Sequence, residues 1–338
     1  MLARCQRIFA SGGVVPLLLT LFAPTAHALE PRLVPSAAHP AVTIPATLEG
    51  KRLPMYGGGG LVVAEGDMAE PNLFSVYGAD GNLRTQIPFR IPGASRVVVY
   101  EYTRSTVGTL VACGFAESPG AQRAPYLAWI SADGAEQKII RTEPYFPYLC
   151  TAAPDGTMWT VGLEMDSELR ERPEHRNSPV LRRFAPDGRL LGAWLPRSGF
   201  PGPAVLVRGF LVASTDRAGW LRWTADNNLE GIYLEITNQG EISEFPLKKV
   251  PGFQSGTAAF SGMAFTRDGD VLAAAVPADR KESAAVLLLD RSSAQWRRVS
   301  VVSPASAPLY HIYGADQEIA VYVGGDEKSR VRFFRLEK

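Results

Sequence analysis

Five stretches of this chain repeat one plan at a nearly constant interval: an alternating apolar run, a tight turn, and a second run. They cover residues 73–89, 126–140, 180–195, 231–247 and 284–302. Their turns read Ala79-Asp80-Gly81, Ala132-Asp133-Gly134, Pro186-Asp187-Gly188, Asn238-Gln239-Gly240 and Arg291-Ser292-Ser293. Glycine takes positive φ without a Cβ clash, so these turns between alternating runs predict β-hairpins. The last turn residues, at 81, 134, 188, 240 and 293, step by 53, 54, 52 and 53. A step that constant marks a modular fold, one supersecondary unit per period.

A second set of turns falls between the first: Gly58-Gly59, Arg104-Ser105, Asp155-Gly156, Arg208-Gly209, Asp268-Gly269 and Asp316-Gln317. Each period therefore holds four short strands, the plan of a β-propeller blade. The best helical candidate, residues 167–176, is short, charged and broken by Pro173, and reads as a loop. Stepping 53 back from Gly81 reaches 28, and stepping 53 on from Ser293 reaches 346, past the last residue. That interval holds six periods, with both chain ends in the sixth. The expected fold is all-β, a six-bladed β-propeller of four-stranded blades, its ring closed by N- and C-terminal strands sharing one blade. Residues 41–48 are the expected partner of 329–336. Closure of this kind removes free sheet edges.

Residues 1–28 read as a secretory signal: Arg4 and Arg7, an apolar stretch over 14–22, then Ala26-His27-Ala28. Residues 29–40 read as a Pro-rich arm and 41–338 as the propeller domain. No later apolar run is long enough to cross a bilayer. The expected location is periplasmic or secreted, and the expected state is a monomer. The chain carries 35 Lys and Arg against 34 Asp and Glu, net +1, so it has no bulk field to draw nucleic acid or anionic lipid.

The segments Ala152-Ala153-Pro154-Asp155-Gly156-Thr157-Met158-Trp159 and Phe265-Thr266-Arg267-Asp268-Gly269-Asp270-Val271-Leu272 resemble the inner hairpins of NHL-type and TolB-like six-bladed propellers. The resemblance implies the fold and carries no ligand, since function on such a scaffold lives in its loops.

In such propellers the inter-blade loops share one face. They fall at 49–56, 90–96, 141–148, 197–203, 249–257 and 303–311; every one contains proline, and most pair a basic residue with an aromatic one. Arg52, Tyr56, Arg96, Tyr145, Tyr148, Phe200, Phe253, Tyr310 and His311 are the candidate ligand-binding set, as cationic anchors and stacking surfaces for a small molecule or protein partner. The competing reading is that these aromatics plug and stiffen the funnel. The alternative function is a metal-assisted hydrolase or lactonase, with Glu65, Glu164 or Asp216 holding calcium or another divalent cation and His311 as a base. No Gly-x-Ser-x-Gly elbow, His-Glu-x-x-His pair or phosphate-cradling glycine loop occurs, which favours binding without catalysis. Cys113 and Cys150 fall on neighbouring blades, where they can form a disulfide or stand as two buried thiols.

Overall fold

The computed structural model describes residues 30–39, 41–44, 54–66, 70–166, 168–171, 173–200, 209–223, 230–279, 281–302, 311–315, 318–323 and 329–338. The leader read at 1–28 lies outside them. Among the described residues the regular structure is strand, apart from short 3-10 turns at Pro173–Asn177 and Arg197–Gly199. The first of these falls in the segment read as a loop.

Two short strands, β1 (Arg32–Pro35) and β2 (Val42–Ile44), come first. Four antiparallel four-stranded sheets follow, each with its strands adjacent in chain order. The first holds β3 (Met55–Gly57), β4 (Gly60–Gly66), β5 (Pro71–Gly78) and β6 (Leu83–Pro88). The second holds β7 (Arg96–Arg104), β8 (Leu110–Glu117), β9 (Arg123–Ile130) and β10 (Gln137–Arg141). The third holds β11 (Tyr145–Ala152), β12 (Met158–Glu164), β13 (Pro179–Phe184) and β14 (Leu190–Pro196). The fourth holds β15 (Phe210–Ala213), β16 (Arg217–Trp223), β17 (Gly231–Thr237) and β18 (Ile242–Leu247). The second strands are buried on both faces, as in β12, whereas the fourth strands are mostly exposed, as in β6. The protein is a β-propeller of four-stranded blades.

Where the repeat predicts two further separate sheets, the remaining strands are continuous. They are β19 (Thr257–Phe265), β20 (Val271–Pro277), β21 (Ala285–Asp290), β22 (Gln295–Val301), β23 (His311–Ala315), β24 (Glu318–Val323) and β25 (Ser329–Glu337). β19 and β23 pair in parallel at Gly262–Ile312 and Met263–Tyr313. Glycine makes this approach feasible: Gly262 has φ +149°, and a Cβ there would stand 2.5 Å from both the N and O of Ile312. Gly262→Ala is expected to cost about 3 kcal/mol, read from urea unfolding, because the clash is with backbone and cannot be relieved by a rotamer change.

The N-terminal strands cover the other side of this sheet. β2 pairs with β25 from Val42–Val331 to Ile44–Ser329, inside the segments expected to meet. The segment read as an arm carries a strand of its own, since β1 pairs antiparallel with β25 and in parallel with β22. The first strands of successive units are neighbours in turn, β3 with β7, β11, β15, β19 and β23, and β23 again with β3. The core lies between facing sheets, for example Val161, Leu181, Trp220 and Leu234 in one cluster and Leu221, Tyr233, Ala273 and Leu287 in the next.

Two turn details add to the sequence reading. The Asp187-Gly188 hairpin is a three-residue loop: Ala185 N donates to Arg189 O at 2.9 Å and Gly188 N to Ala185 O at 2.8 Å, with Gly188 at φ +90°, whereas the Asp133-Gly134 turn has one residue more, Ser131 N donating to Glu136 O at 2.9 Å. In the fifth such turn the positive φ falls on Ala294, one residue beyond the serine aligned with the glycines.

Candidate functional site

A cavity of about 310 Å³ runs along the axis, and β3, β7, β11, β15, β19 and β23 each contribute to its wall. Its apolar part comes from Met55, Leu149, Leu211, Met263 and Phe265. Hydroxyl side chains gather where the first strands end: Thr103, Ser105, Thr106, Thr151, Thr215 and Thr266. Among the described residues three charged side chains line it, Glu101, Arg104 and Arg267. A cavity mostly apolar with a few convergent polar groups is the common form of a small-molecule site. The turns bordering it are those between first and second strands, and no described residue of the inter-blade loops other than Tyr56 lines it.

Arg104 ends β7. Its Nε donates to Gly108 O at 3.1 Å and its Nη1 to Gly57 O at 3.2 Å, and burial pulls its pKa down. Beside the channel lies a second cavity of about 570 Å³ that shares Tyr56, Thr106 and Arg267 with it and is walled by Ser36, His39, Glu318 and Arg335. Glu318 is the hub of that wall. Its Oε2 lies 2.6 Å from His39 Nδ1 and accepts from Tyr56 Oη at 3.4 Å, and its Oε1 accepts from Ser36 Oγ. Burial works to raise the Glu318 pKa, but the hydrogen bonds from Ser36 and His39 outweigh it and hold the carboxyl below its ordinary range.

The expected inter-blade surface is dispersed. Arg52 and Tyr310 lie outside the described residues. Tyr56 sits one residue from the Gly58 turn, at the hydroxyl-rich end, and lines both cavities. Arg96 is engaged by Glu70, 2.6 Å from its Nε. Tyr145 is fully buried; its hydroxyl donates to Val180 O at 3.0 Å, and the Arg182 guanidinium lies 4.0 Å over its ring. Tyr148 donates to Met165 Sδ at 3.2 Å and lies 5.0 Å from Tyr100. Phe200 packs 5.6 Å from Trp220, and Phe253 is buried in the core cluster beside β18. Tyr145, Tyr148, Phe200 and Phe253 pack in the clusters between sheets.

His311 is half-buried and stacked on Tyr313, ring centres 6.2 Å apart. Burial lowers its pKa from 6.5 to about 4, so the fold favours neutral imidazole. The folded value lies below the unfolded one. Its contribution is therefore complete above the unfolded pKa of 6.5 and is lost as pH falls towards 4, reaching about 3 kcal/mol. His311→Gln is expected to remove that part of the acid sensitivity, measured by urea unfolding at pH 7.5 and pH 4.

The carboxylates expected as metal ligands do not converge. Glu65 accepts from Ser75 Oγ. Glu164 accepts from Ser178 Oγ at 2.6 Å and from Arg182, and His175 Nδ1 lies 2.8 Å away. Asp216 is on the turn between β15 and β16, at the opposite end of its sheet from the expected face, because that turn falls at 214–216 and not at Arg208-Gly209. Its hydrogen bonds with Arg217, 2.6 Å at Nη2, bring its pKa down to about 2. Among the described residues no three His, Cys, Asp or Glu side chains are grouped for a metal ion. Cys113 and Cys150 stand as free buried thiols in one apolar cluster, without a disulfide; Cys150 Sγ is 3.5 Å from Glu101 O.

No family model and no curated protein sequence matches the chain. Among solved structures it is similar to the β-propeller domain of the Trilobed protease from Pyrococcus furiosus, at 9% identity and TM-score 0.50, covering 88% of this chain and 84% of that one. It is also similar to a protein from Bacteroides fragilis described as exported, at 11% identity and TM-score 0.49, covering 91% and 96%. A third is the soluble aldose sugar dehydrogenase from Escherichia coli, at 10% identity and TM-score 0.47, covering 88% and 99%. No helix among the described residues is long and apolar enough to cross a membrane. The first of these likenesses places the chain among β-propellers.

Proposed function

We propose that this chain is an exported six-bladed β-propeller that binds a small polar molecule in its central channel, from the end where first and second strands turn. Six first strands in cyclic contact support the blade count, with β19 and β23 as first strands of two blades joined by only two residue pairs. The sixth blade then takes its outer edge from β1 and β2, which lie on β25. The Asp-Gly inner turns that resemble NHL-type and TolB-like hairpins support that family type. Export rests on the leader-like residues 1–28.

One observation carries the binding reading: a single cavity of about 310 Å³ drawing wall residues from all six first strands, hydroxyl-rich at one end. The ligand face moves from the inter-blade loops to the opposite end of the ring. The test is a thermal-shift screen of small sugars, amino acids and organic acids on the full chain and on Ala213→Trp, which puts an indole into the channel wall. A ligand at a hundred times its Kd stabilises by about 2.7 kcal/mol, and the substitution is expected to abolish that shift. Equal binding by Ala213→Trp would refute the channel site. For the metal-assisted alternative, chelator is expected to leave the melting temperature unchanged, and a drop would revive it.

A further inference from the structure

Between β1 and β2 the chain forms a strap, Ser36–His39, and all four of its residues border the cavity of about 570 Å³. The other walls place that cavity on the ring. Gly58 and Gly59 belong to the turn after β3, Thr106 to the turn after β7 and Arg267 to the turn after β19, while Glu318 opens β24 and Arg335 lies on β25. These are the turn ends of four consecutive units, since β19, β23, β3 and β7 touch in that order. The axial channel shares Tyr56, Thr106 and Arg267 with this cavity. The cavity is therefore a vestibule at the turn end of the channel, and the strap is one of its walls. Pro154 and Thr215, on the turns after β11 and β15, border the channel and not the vestibule.

The strap is tied at its two ends. Its middle, Ala37 and Ala38, is exposed. At one end Ser36 N donates to Phe333 O at 2.8 Å and Ser36 Oγ donates to Glu318 Oε1. At the other, His39 Nδ1 lies 2.6 Å from Glu318 Oε2, and the imidazole packs 5.4 Å from the Phe333 ring. Ala38 N donates to Ser36 Oγ at 3.3 Å, a bond inside the strap itself. Both side-chain ties across the vestibule thus end on one carboxylate, which also accepts from Tyr56 Oη at 3.4 Å. β1 and β2 are held separately, each by its own ladder to β25. A short segment with an exposed middle and a single polar clasp is the kind that opens locally, at a free energy well below that of global unfolding.

We propose that the strap is a size filter at the channel entrance: clasped by Glu318 it leaves only the arc beside Pro154 and Thr215 to small solutes, and unclasped it admits larger ones. This rests on the channel being the binding site, entered from its turn end, and names the device that selects what enters. Glu318, Ser36 and His39 are positioning residues, which hold the strap and leave contact with the ligand to the channel wall.

The test reads entry directly and needs no ligand. The full chain carrying Ala213→Cys on the channel wall is labelled at neutral pH with methyl methanethiosulfonate and, in parallel, with a methanethiosulfonate bearing a bulky fluorophore, and the labelled sites are located by mass spectrometry. Thr215→Cys, on the arc away from the strap, calibrates the two reagents, and the buried native thiols Cys113 and Cys150 report unfolding. The ratio of bulky to small labelling rates is expected to be at least tenfold lower at Ala213→Cys than at Thr215→Cys. Adding Glu318→Gln or His39→Ala is expected to raise it at least fivefold at Ala213→Cys, with Thr215→Cys and the native thiols unchanged. His39 is half-buried and outside both ladders, so His39→Ala keeps the test open if Glu318→Gln fails to fold. An unchanged ratio, or a rise accompanied by labelling of Cys113, would overturn the filter and leave the channel site, which the ligand shift and Ala213→Trp judge on their own. An Ala213→Cys reporter reached by neither reagent in any variant, though labelled in the unfolded chain, would remove channel and filter together.

Discussion

A chain that starts at residue 39 is expected to melt roughly 10 °C below one that starts at residue 30, in differential scanning calorimetry at neutral pH. The difference is β1. Leu33 has no exposed surface and packs with Ala264, Leu272, Val286, Val299 and Phe334. Losing that side chain from a core costs about 3 kcal/mol. The ladder to β25 goes with it, and so do backbone bonds at its edges: Val302 N to Leu33 O at 2.8 Å, Ser36 N to Phe333 O at 2.8 Å and Ser300 N to Pro31 O at 3.2 Å. Together about 5 kcal/mol is at stake, and a domain of this size shifts by roughly 2 °C per kcal/mol. The Pro-rich composition of the segment points the other way, to a deletion that is nearly silent. Equal melting of the two chains would restore that reading and leave closure to β2.

Glu235→Ala is expected to cost about 4 kcal/mol in urea unfolding, the largest effect of any single charged residue here. The side chain is 7% exposed and accepts from Arg217 Nη1 at 2.7 Å, Arg291 Nη2 at 2.7 Å and Tyr233 Oη at 2.9 Å. Arg291 follows β21, so the carboxylate ties the fourth sheet to the next. Removing it leaves two part-buried cations and a buried hydroxyl without their acceptor. Burial works to raise the Glu235 pKa, but hydrogen bonding to Arg291 and Arg217 outweighs it and holds the carboxyl below its ordinary value. Its contribution is therefore present above the ordinary glutamate value of 4.5 and lost as pH falls below it. Glu235→Gln keeps two acceptor lone pairs and the shape, and is expected to lose less at pH 7 and to flatten the acid limb. A Glu235→Ala cost under 1 kcal/mol would show that the cluster is solvated in practice.

The repeat is legible in the sequence because a hairpin is a local object. A glycine or aspartate at a fixed offset between alternating runs reports a turn whatever the rest of the chain does, and most inner turns fall within a residue of where the pattern puts them. The turn at 214–216 escapes the pattern because Arg208-Gly209 offers the commoner turn residues, while the real one is made by Ser214 Oγ donating to Asp216 at 2.8 Å. The site is less legible. Aromatic residues in loops carry the same signature whether they face a ligand or wedge two sheets, and only the packing of Tyr145 and Phe253 distinguishes the cases. The placement of Arg104 gives no composition signal, since it depends on glycines at 57, 60 and 108 being brought together around it. Glu318 meets Ser36 and His39 across nearly the whole chain, a pairing no local pattern contains.

β1 also sets the order in which the protein can be completed. Arg32 pairs with Glu337, 305 residues further on, and the neighbouring pairs to β22 are almost as remote. At about 5–20 residues per second of synthesis, the first strand waits on the order of 15–60 s before its partners exist. Through that time Leu33 has no native pocket, and the final seam forms only after the last strand is released. The ribosome therefore delivers an open ring, whose ends join only once synthesis is complete.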